Sequence, residues 1–328
     1  MVTVICCIYN SVGVVRRCLE ALAEMSTPAS VEVVLVDNHA PDPLTREYIK
    51  AFQRLHSGWV RIVDPGRNIG CHDGWNFGYK AAAENEYVVK LDDDTVIETC
   101  RWAEKMQFAL HVAPEIGYVA ADIDIKSPHR CERQKYGDVL FDVAVEGIVG
   151  FSCVMFRRAD VERWGPMKVG TYRTAGNGPI LQEGVQSLYG GEEVYYMHHA
   201  RRDGTRIAYL RDVHVHHLGN EERHPDYAMW KRSYAYRGIH RMEMLEWLAS
   251  GQHVEHYAQE MKIELERTPP NHVLLIEWSQ RLAQIGRAEH VWLLRRAAER
   301  GAATGNAVCA EKCNAAAASL ETLLASGL

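Results

Sequence analysis

Three apolar runs constrain the fold of this chain more than any other feature: "VTVICCIY" from Val2, "VEVVLVD" from Val31 and "YVVKLD" from Tyr87. Each is rich in β-branched residues and apolar at nearly every position rather than at alternate ones. Strands with that pattern are covered on both faces. Between them lie stretches of helical spacing. "VGVVRRCLEALAEM" sets Val15, Leu19 and Leu22 on one side. Pro41 to Leu55 reads as a second helix, and "WNFGYKAAAEN" as a third, after the strand "WVRIVD". This alternation predicts an α/β domain with a mainly parallel sheet and helices on both faces.

Such sheets bind ligands outside the carboxyl ends of their strands. Polar residues gather there: Asn10 follows the first strand, Asp37 ends the second, and Asp92, Asp93 and Asp94 end the fourth. Asp37 alone could cap a helix or brace a turn. Three consecutive aspartates after a buried strand repel one another and need a counter-charge. A divalent cation supplies it, because Mg2+ and Mn2+ take oxygen ligands and bridge to phosphate.

Composition narrows the class. The chain has 328 residues, long enough for one α/β domain plus an extension, and a net charge of −6 that gives no reason to bind nucleic acid or an anionic membrane. No apolar run is long enough to span a bilayer, and "MVTVICCIYN" lacks the basic segment and cleavage site of a secretory signal. Nine scattered cysteines read as reduced thiols, which places the protein in the cytoplasm. Adjacent in a strand, Cys6 and Cys7 point to opposite faces. Cys309 and Cys313, four apart on a helix, would need two further ligands to hold a metal.

Beyond Ile116 the alternation weakens. "EGIVGFSCVMFRRADVERWG" reads as a strand followed by a short helix from near Ala159. Gly147 and Gly150 lie in its opening turn, where backbone either approaches a ligand or simply bends. Thr171 to Gly191 is glycine-rich and reads as a long loop of the lid or binding kind. From Asp226 the chain is nearly all helical and carries 12 acidic and 12 basic residues, so it is not a basic arm. The division therefore falls at 1–225 and 226–328. Within the second part, Trp230, Tyr234 and Tyr236 read as helix packing rather than a sugar platform, while Arg232 and Arg237 could meet phosphate or an acidic acceptor. The tail from Ala315 to Leu328 either frays or packs as a last helix.

Five ordered blocks resemble inverting family-2 glycosyltransferases of the GT-A fold: "VICCIYN", "VLVDNHAPD", "GRNIGCHDGWNFGYKAA", "VVKLDDDT" and "GGEEVYYMHHARRDGTRIAYLRDVHVHHLG". The likeness runs from about Val2 to about Arg241. It implies a mixed, mainly parallel Rossmann-like sheet with a helical C-terminal region. Asp92 and Asp94 then match the outer carboxylates of the DxD motif, Asp94 being the direct metal ligand and Asp93 reaching the ribose or the metal. Asp37 and Asn38 match the base-recognition position, with Ile8 and Asn10 in the same pocket. Asn68 and Gly70 match the pair that faces the donor. Glu193 takes the position of the catalytic base, preceded by Glu192. His217 matches a histidine that completes the metal site, with His216 as the fallback. Two departures stand out: the family usually ends the acidic motif in aspartate, and its following helix often reads Asp-Leu-Cys-Leu-Arg where this chain has Tyr195, Tyr196, Met197, His198 and His199.

The implied activity is transfer of a sugar from a nucleoside diphosphate, expected to be uridine diphosphate, to an acceptor hydroxyl, with Mn2+ or Mg2+ as cofactor and inversion at the anomeric carbon. The acceptor class stays open among glycan, lipid-linked saccharide, protein, metabolite and modified nucleic acid. The C-terminal helices shape either the acceptor side or a homo-oligomer interface. Two other readings compete. A nucleotidyltransferase would carry a glycine-rich basic loop after its first strand, where this chain has "YNSVGVVRRC". A non-catalytic binder of sugar nucleotides or glycans is kept open by glutamate at 193.

Overall fold

The computed structural model describes residues 1–123, 131–145, 149–168, 171–174, 179–182, 192–218, 226, 229 and 244–326. The chain divides into two compact units, Met1–Tyr227 with Tyr234–Arg241, and Ala228–Ser233 with Met242–Leu328.

In the first unit the predicted alternation is present as β1 (Val2–Ile8), α1 (Val12–Met25), β2 (Val31–Asp37), α2 (Pro43–Leu55), β3 (Val60–Val63), α3 (Gly70–Ala81) and β4 (Tyr87–Asp92). β1 pairs in parallel with both β2 and β4, and β2 with β3. Every residue of β1 except Cys7 is buried. Cys6 and Cys7 show how both faces are covered. The Cys6 thiol meets Cys18 of α1, while Cys7 Sγ lies 3.0 Å from where a Cβ on Gly74 of α3 would stand. α3 lies close against the sheet through glycine: a Cβ on Gly78 would come within 2.6 Å of Ile5 Cγ2 and 2.8 Å of Val36 Cγ2.

The starts of two helices differ from the sequence expectation. α2 starts at Pro43, because Asp42 caps it by accepting from the Leu44 amide. α3 starts at Gly70, five residues before Trp75, because Asn68 and Asn38 organise its entry through the hydrogen bonds described below.

The remaining strands make the sheet mixed. They are β5 (Thr95–Ile97), β6 (Ile116–Ile123), β7 (Cys131–Tyr136), β8 (Val139–Ala144), β9 (Cys153–Arg157) and β12 (Arg206–His217). Helices α4 (Trp102–Val112), α5 (Arg158–Trp164) and α6 (Glu192–Arg202) intervene. The strand order is β3-β2-β1-β4-β9-β6-β12-β8-β7, with β5 also on β12. β9 runs antiparallel between β4 and β6, whereas β6 and β12 are parallel. Part of the stretch read as one long loop, Thr171 to Gly191, is instead a two-stranded ladder, β10 (Thr171–Thr174) with β11 (Pro179–Gln182). Its glycine-rich setting hid two four-residue strands.

The second unit is helical where it is described: α7 (Met244–Ala249), α8 (Gln252–Glu266), α9 (His272–Ile285), a 3-10 turn (Ala288–His290), α10 (Val291–Ala303) and α11 (Ala307–Ala325). Asn271 caps α9 and Asn306 caps α11. The tail packs: Cys309, Cys313, Ala316, Ala317 and Leu320 of α11 are buried. At Gly301 a Cβ would stand 2.8 Å from the Ala310 amide nitrogen, so α10 and α11 meet at close range. Cys309 and Cys313 are free thiols within this core, Sγ atoms 3.9 Å apart, and Ser279 Oγ donates to Cys313. Neither belongs to a metal-ligating group among the described residues. The stripe at Trp230, Arg232, Tyr234, Tyr236 and Arg237 lies outside the described residues.

Candidate active site

Register brings the strand ends together. Ile8 stands opposite Asp37, and Cys7 opposite Asp92. The three consecutive aspartates divide between two tasks.

Asp93 turns back to β1. Its Oδ2 accepts from the amides of Tyr9 (2.7 Å) and Asn10 (2.8 Å), and its Oδ1 from Asn10 Nδ2 (2.5 Å). Charge-assisted bonds from backbone N–H groups are among the stronger polar interactions. They fix the turn after β1 and hold the Asp93 carboxylate against the end of that strand. Asn10 is held within the same clamp, and Thr45 donates to its carbonyl at 3.0 Å.

Asp92 and Asp94 belong to another cluster. β12 runs antiparallel to β5, pairing His217 with Thr95. The Leu218 amide donates to the Asp94 carbonyl at 2.9 Å. This places His217 Nε2 3.4 Å from Asp94 Oδ1. Ligand atoms of Asp92, Asp94 and His217 all lie within 4.8 Å of one another. An ion held at about 2.1 Å has adjacent ligands roughly 3 Å apart and opposite ones roughly 4 Å apart. The spacing of the trio is compatible with a divalent cation, and its two carboxylates suit Mn2+ or Mg2+. Asp94 is only 4% exposed, which makes an uncompensated charge there costly. Lys90, a residue the sequence reading passed over, reaches the same cluster: its Nζ donates to Asp92 Oδ1 at 2.5 Å.

A second network lies at the ends of β2 and β3. Asp37 Oδ2 accepts from Arg46 Nε at 2.7 Å, and Arg46 continues to Asp64 at 3.1 Å. His39 Nε2 meets Asp64 at 2.9 Å, and the His39 amide donates to Asp37 at 3.2 Å. His39 has φ of 56°, a left-handed conformation that costs a non-glycine residue roughly 1–2 kcal/mol. The bond from the Gly66 amide, then His39, holds the Asp64 carboxyl below the usual range. Asp64 had the same signal as Asp37, an aspartate closing an apolar strand, in "VRIVD". Arg46 and His39 had no comparable signal, since they lie in a helix and a turn.

Asn38 and Asn68 shape the entry to α3. Asn38 Oδ1 accepts from the Ile69 amide (2.9 Å), its Nδ2 donates to the Gly70 carbonyl (3.3 Å), and Asn68 Oδ1 accepts from the Gly70 amide (2.8 Å). Gly70 adopts φ of 82°, a value that favours glycine. Ile8 is fully buried beneath this edge. His216 precedes His217 on β12. Glu192 and Glu193 occupy the first two positions of α6, but their side chains lie outside the described residues. Gly147 also lies outside them, whereas the Gly150 amide donates to Tyr209 Oη at 2.6 Å.

Residues 3–164 match the family model described as glycosyl transferase family 2. No curated protein sequence matches the chain. Among solved structures, GalNAc-T7 with UDP, GalNAc and Mn2+ is 14% identical with a TM-score of 0.51, the likeness covering 66% of this chain and 43% of that one. The mannosyltransferase PcManGT from Pyrobaculum calidifontis, in complex with GDP-Man and Mn2+, is 18% identical with a TM-score of 0.51, covering 97% of this chain and 84% of that one. This chain thus spans less than half the length of GalNAc-T7. The architecture is the GT-A fold. The segment that matches the glycosyl transferase family 2 model is just under half of the chain. It ends at Trp164, ahead of Glu192, Glu193 and His217.

Proposed function

We propose that the protein is a metal-dependent, inverting glycosyltransferase that moves a sugar from a nucleoside diphosphate, a uridine nucleotide by preference, to an acceptor hydroxyl. The observation that carries this is the convergence of Asp92, Asp94 and His217 at the carboxyl edge of the sheet, next to the polar ends of β1 and β2. Asp92, Asp94 and His217 would hold Mn2+ or Mg2+. When bound, the ion supplies positive charge for the departing diphosphate.

The chain's own residues do the rest. Asp37, oriented by Arg46, receives a base N–H while Asn38 and Asn68 keep the α3 entry shaped around the donor. Glu193 accepts the proton of the acceptor hydroxyl as its oxygen attacks the anomeric carbon and the bond to the diphosphate breaks. A single displacement with one base inverts that carbon, and no second carboxylic acid is needed for the leaving group. The test is a screen of nucleotide sugars with Mn2+, read as released nucleoside diphosphate. Donor-specific release that stops in chelator supports the proposal. Donor binding without release, with every acceptor class supplied, favours a non-catalytic binder.

A further inference from the structure

Lys90 stands on β4, two residues before Asp92, so both side chains lie on the same face of the strand. Its side chain is only 5% exposed. Burying a lysine is costly unless its charge is answered, and here it is answered from several sides. Nζ donates to Asp92 Oδ1 at 2.5 Å and to the Phe151 carbonyl at 3.1 Å, and it lies 5.2 Å from the centre of the Phe151 ring. The Asp92 amide, in turn, donates to the Ser152 carbonyl at 2.7 Å. The ammonium is therefore anchored by the segment before β9, and it holds one of the three groups that converge on the cation position.

We infer that Lys90 is a positioning residue for the metal site: a built-in counter-charge that fixes the Asp92 carboxylate and lowers the affinity of Asp92, Asp94 and His217 for a divalent cation. This rests on the metal reading above. Two consequences follow from its place. In metal-free protein the ammonium offsets the repulsion between Asp92 and Asp94, so the triplet does not depend on metal to fold. With a cation present, a unit positive charge a few ångströms away opposes binding. Two carboxylates and a dication sum to zero, and Lys90 raises that sum to +1, a balance suited to an anionic diphosphate and to release of the ion.

The test is a Mn2+ titration of the metal-free full-length protein, following free Mn2+ by electron paramagnetic resonance, in wild type, Lys90→Met and Asp92→Asn, and in the double variant. Removing the lysine charge should tighten Mn2+ binding by about tenfold, and the gain should shrink in the Asp92→Asn background, where only the repulsion through space is left to relieve. In chelator, Lys90→Met should melt below wild type. Should Lys90→Met fail to fold, Lys90→Gln removes the charge while retaining a donor for Phe151, and the same tightening is expected. Unchanged or weaker Mn2+ affinity in a folded charge-removing variant overturns the inference, as does equal tightening with and without Asp92. If wild type binds no Mn2+, the metal reading fails and this affinity role with it. Melting in chelator still separates the two failures, because it reports the Lys90–Asp92 pair without any metal.

Discussion

Asp93 explains how three adjacent aspartates can close a buried strand: its carboxylate accepts from the amides of Tyr9 and Asn10, which answer its charge apart from the Asp92, Asp94 and His217 group. At the same scale, Asp37 has an immediate partner in Arg46. Asp37→Ala should weaken donor binding by about tenfold, a loss near 1.4 kcal/mol, while slowing turnover of bound donor much less. Calorimetric donor affinity with single-turnover rates checks this, and an unchanged affinity contradicts it. For Asp64, the folded-state pKa lies below the ordinary carboxylate value. Its stabilising effect is therefore fully present above the unfolded pKa of about 3.9 and is lost as pH falls through the lower folded value. The melting difference between wild type and Asp64→Asn should be steady at neutral pH and shrink below about pH 4, so a difference that widens in acid contradicts the network. Glu193→Gln should slow turnover about 10²–10⁴-fold with donor affinity retained. Glu192→Gln should do much less, because successive helical residues diverge by about 100°. Normal turnover in both would remove the base from this motif.

At the scale of elements, the tight seat of α3 on the sheet makes its own prediction. Gly78→Ala places a methyl against Ile5 and Val36, within 2.8 Å of both. Overpacking of this kind costs about 1–3 kcal/mol, so the melting temperature should fall clearly, and an unchanged value would mean that the helix sits further off. This part of the molecule was also the most legible in sequence. β1, β2 and β4 are buried on nearly every position and read in sequence as runs that are mostly apolar. The antiparallel half was harder to read. β7 is an edge strand, "CERQKY", with charges on both sides of its pleat, and β5 has three residues. Short or solvated strands leave no run to detect. The site divides in the same way. Carboxylates closing apolar strands were visible, whereas Lys90 looked like one more residue inside a strand. Its role comes from the Phe151 segment, about sixty positions away in the chain.

For the whole molecule, the N-terminal unit carries every described residue assigned to the donor and the metal, and the helical unit carries none of them. No described helix is long and apolar enough to cross a membrane. In the helical unit, Glu255, Glu289 and His290 also approach one another. Arg287 faces both glutamates, at 3.6 and 4.0 Å, and its amide donates to His290 Nδ1. Those two glutamates are 60% and 61% exposed, so solvent and Arg287 answer their charge, and among the described residues the proposed metal role stays with the strand-end trio. The central claim is accordingly tested by nucleoside diphosphate release from the full-length protein with its preferred nucleotide sugar, measured with Mn2+, with excess chelator, and in Asp94→Asn. Release that is lost in chelator, restored by Mn2+ and absent from a normally folded Asp94→Asn is the predicted result. Full turnover in chelator, or in Asp94→Asn, would contradict it.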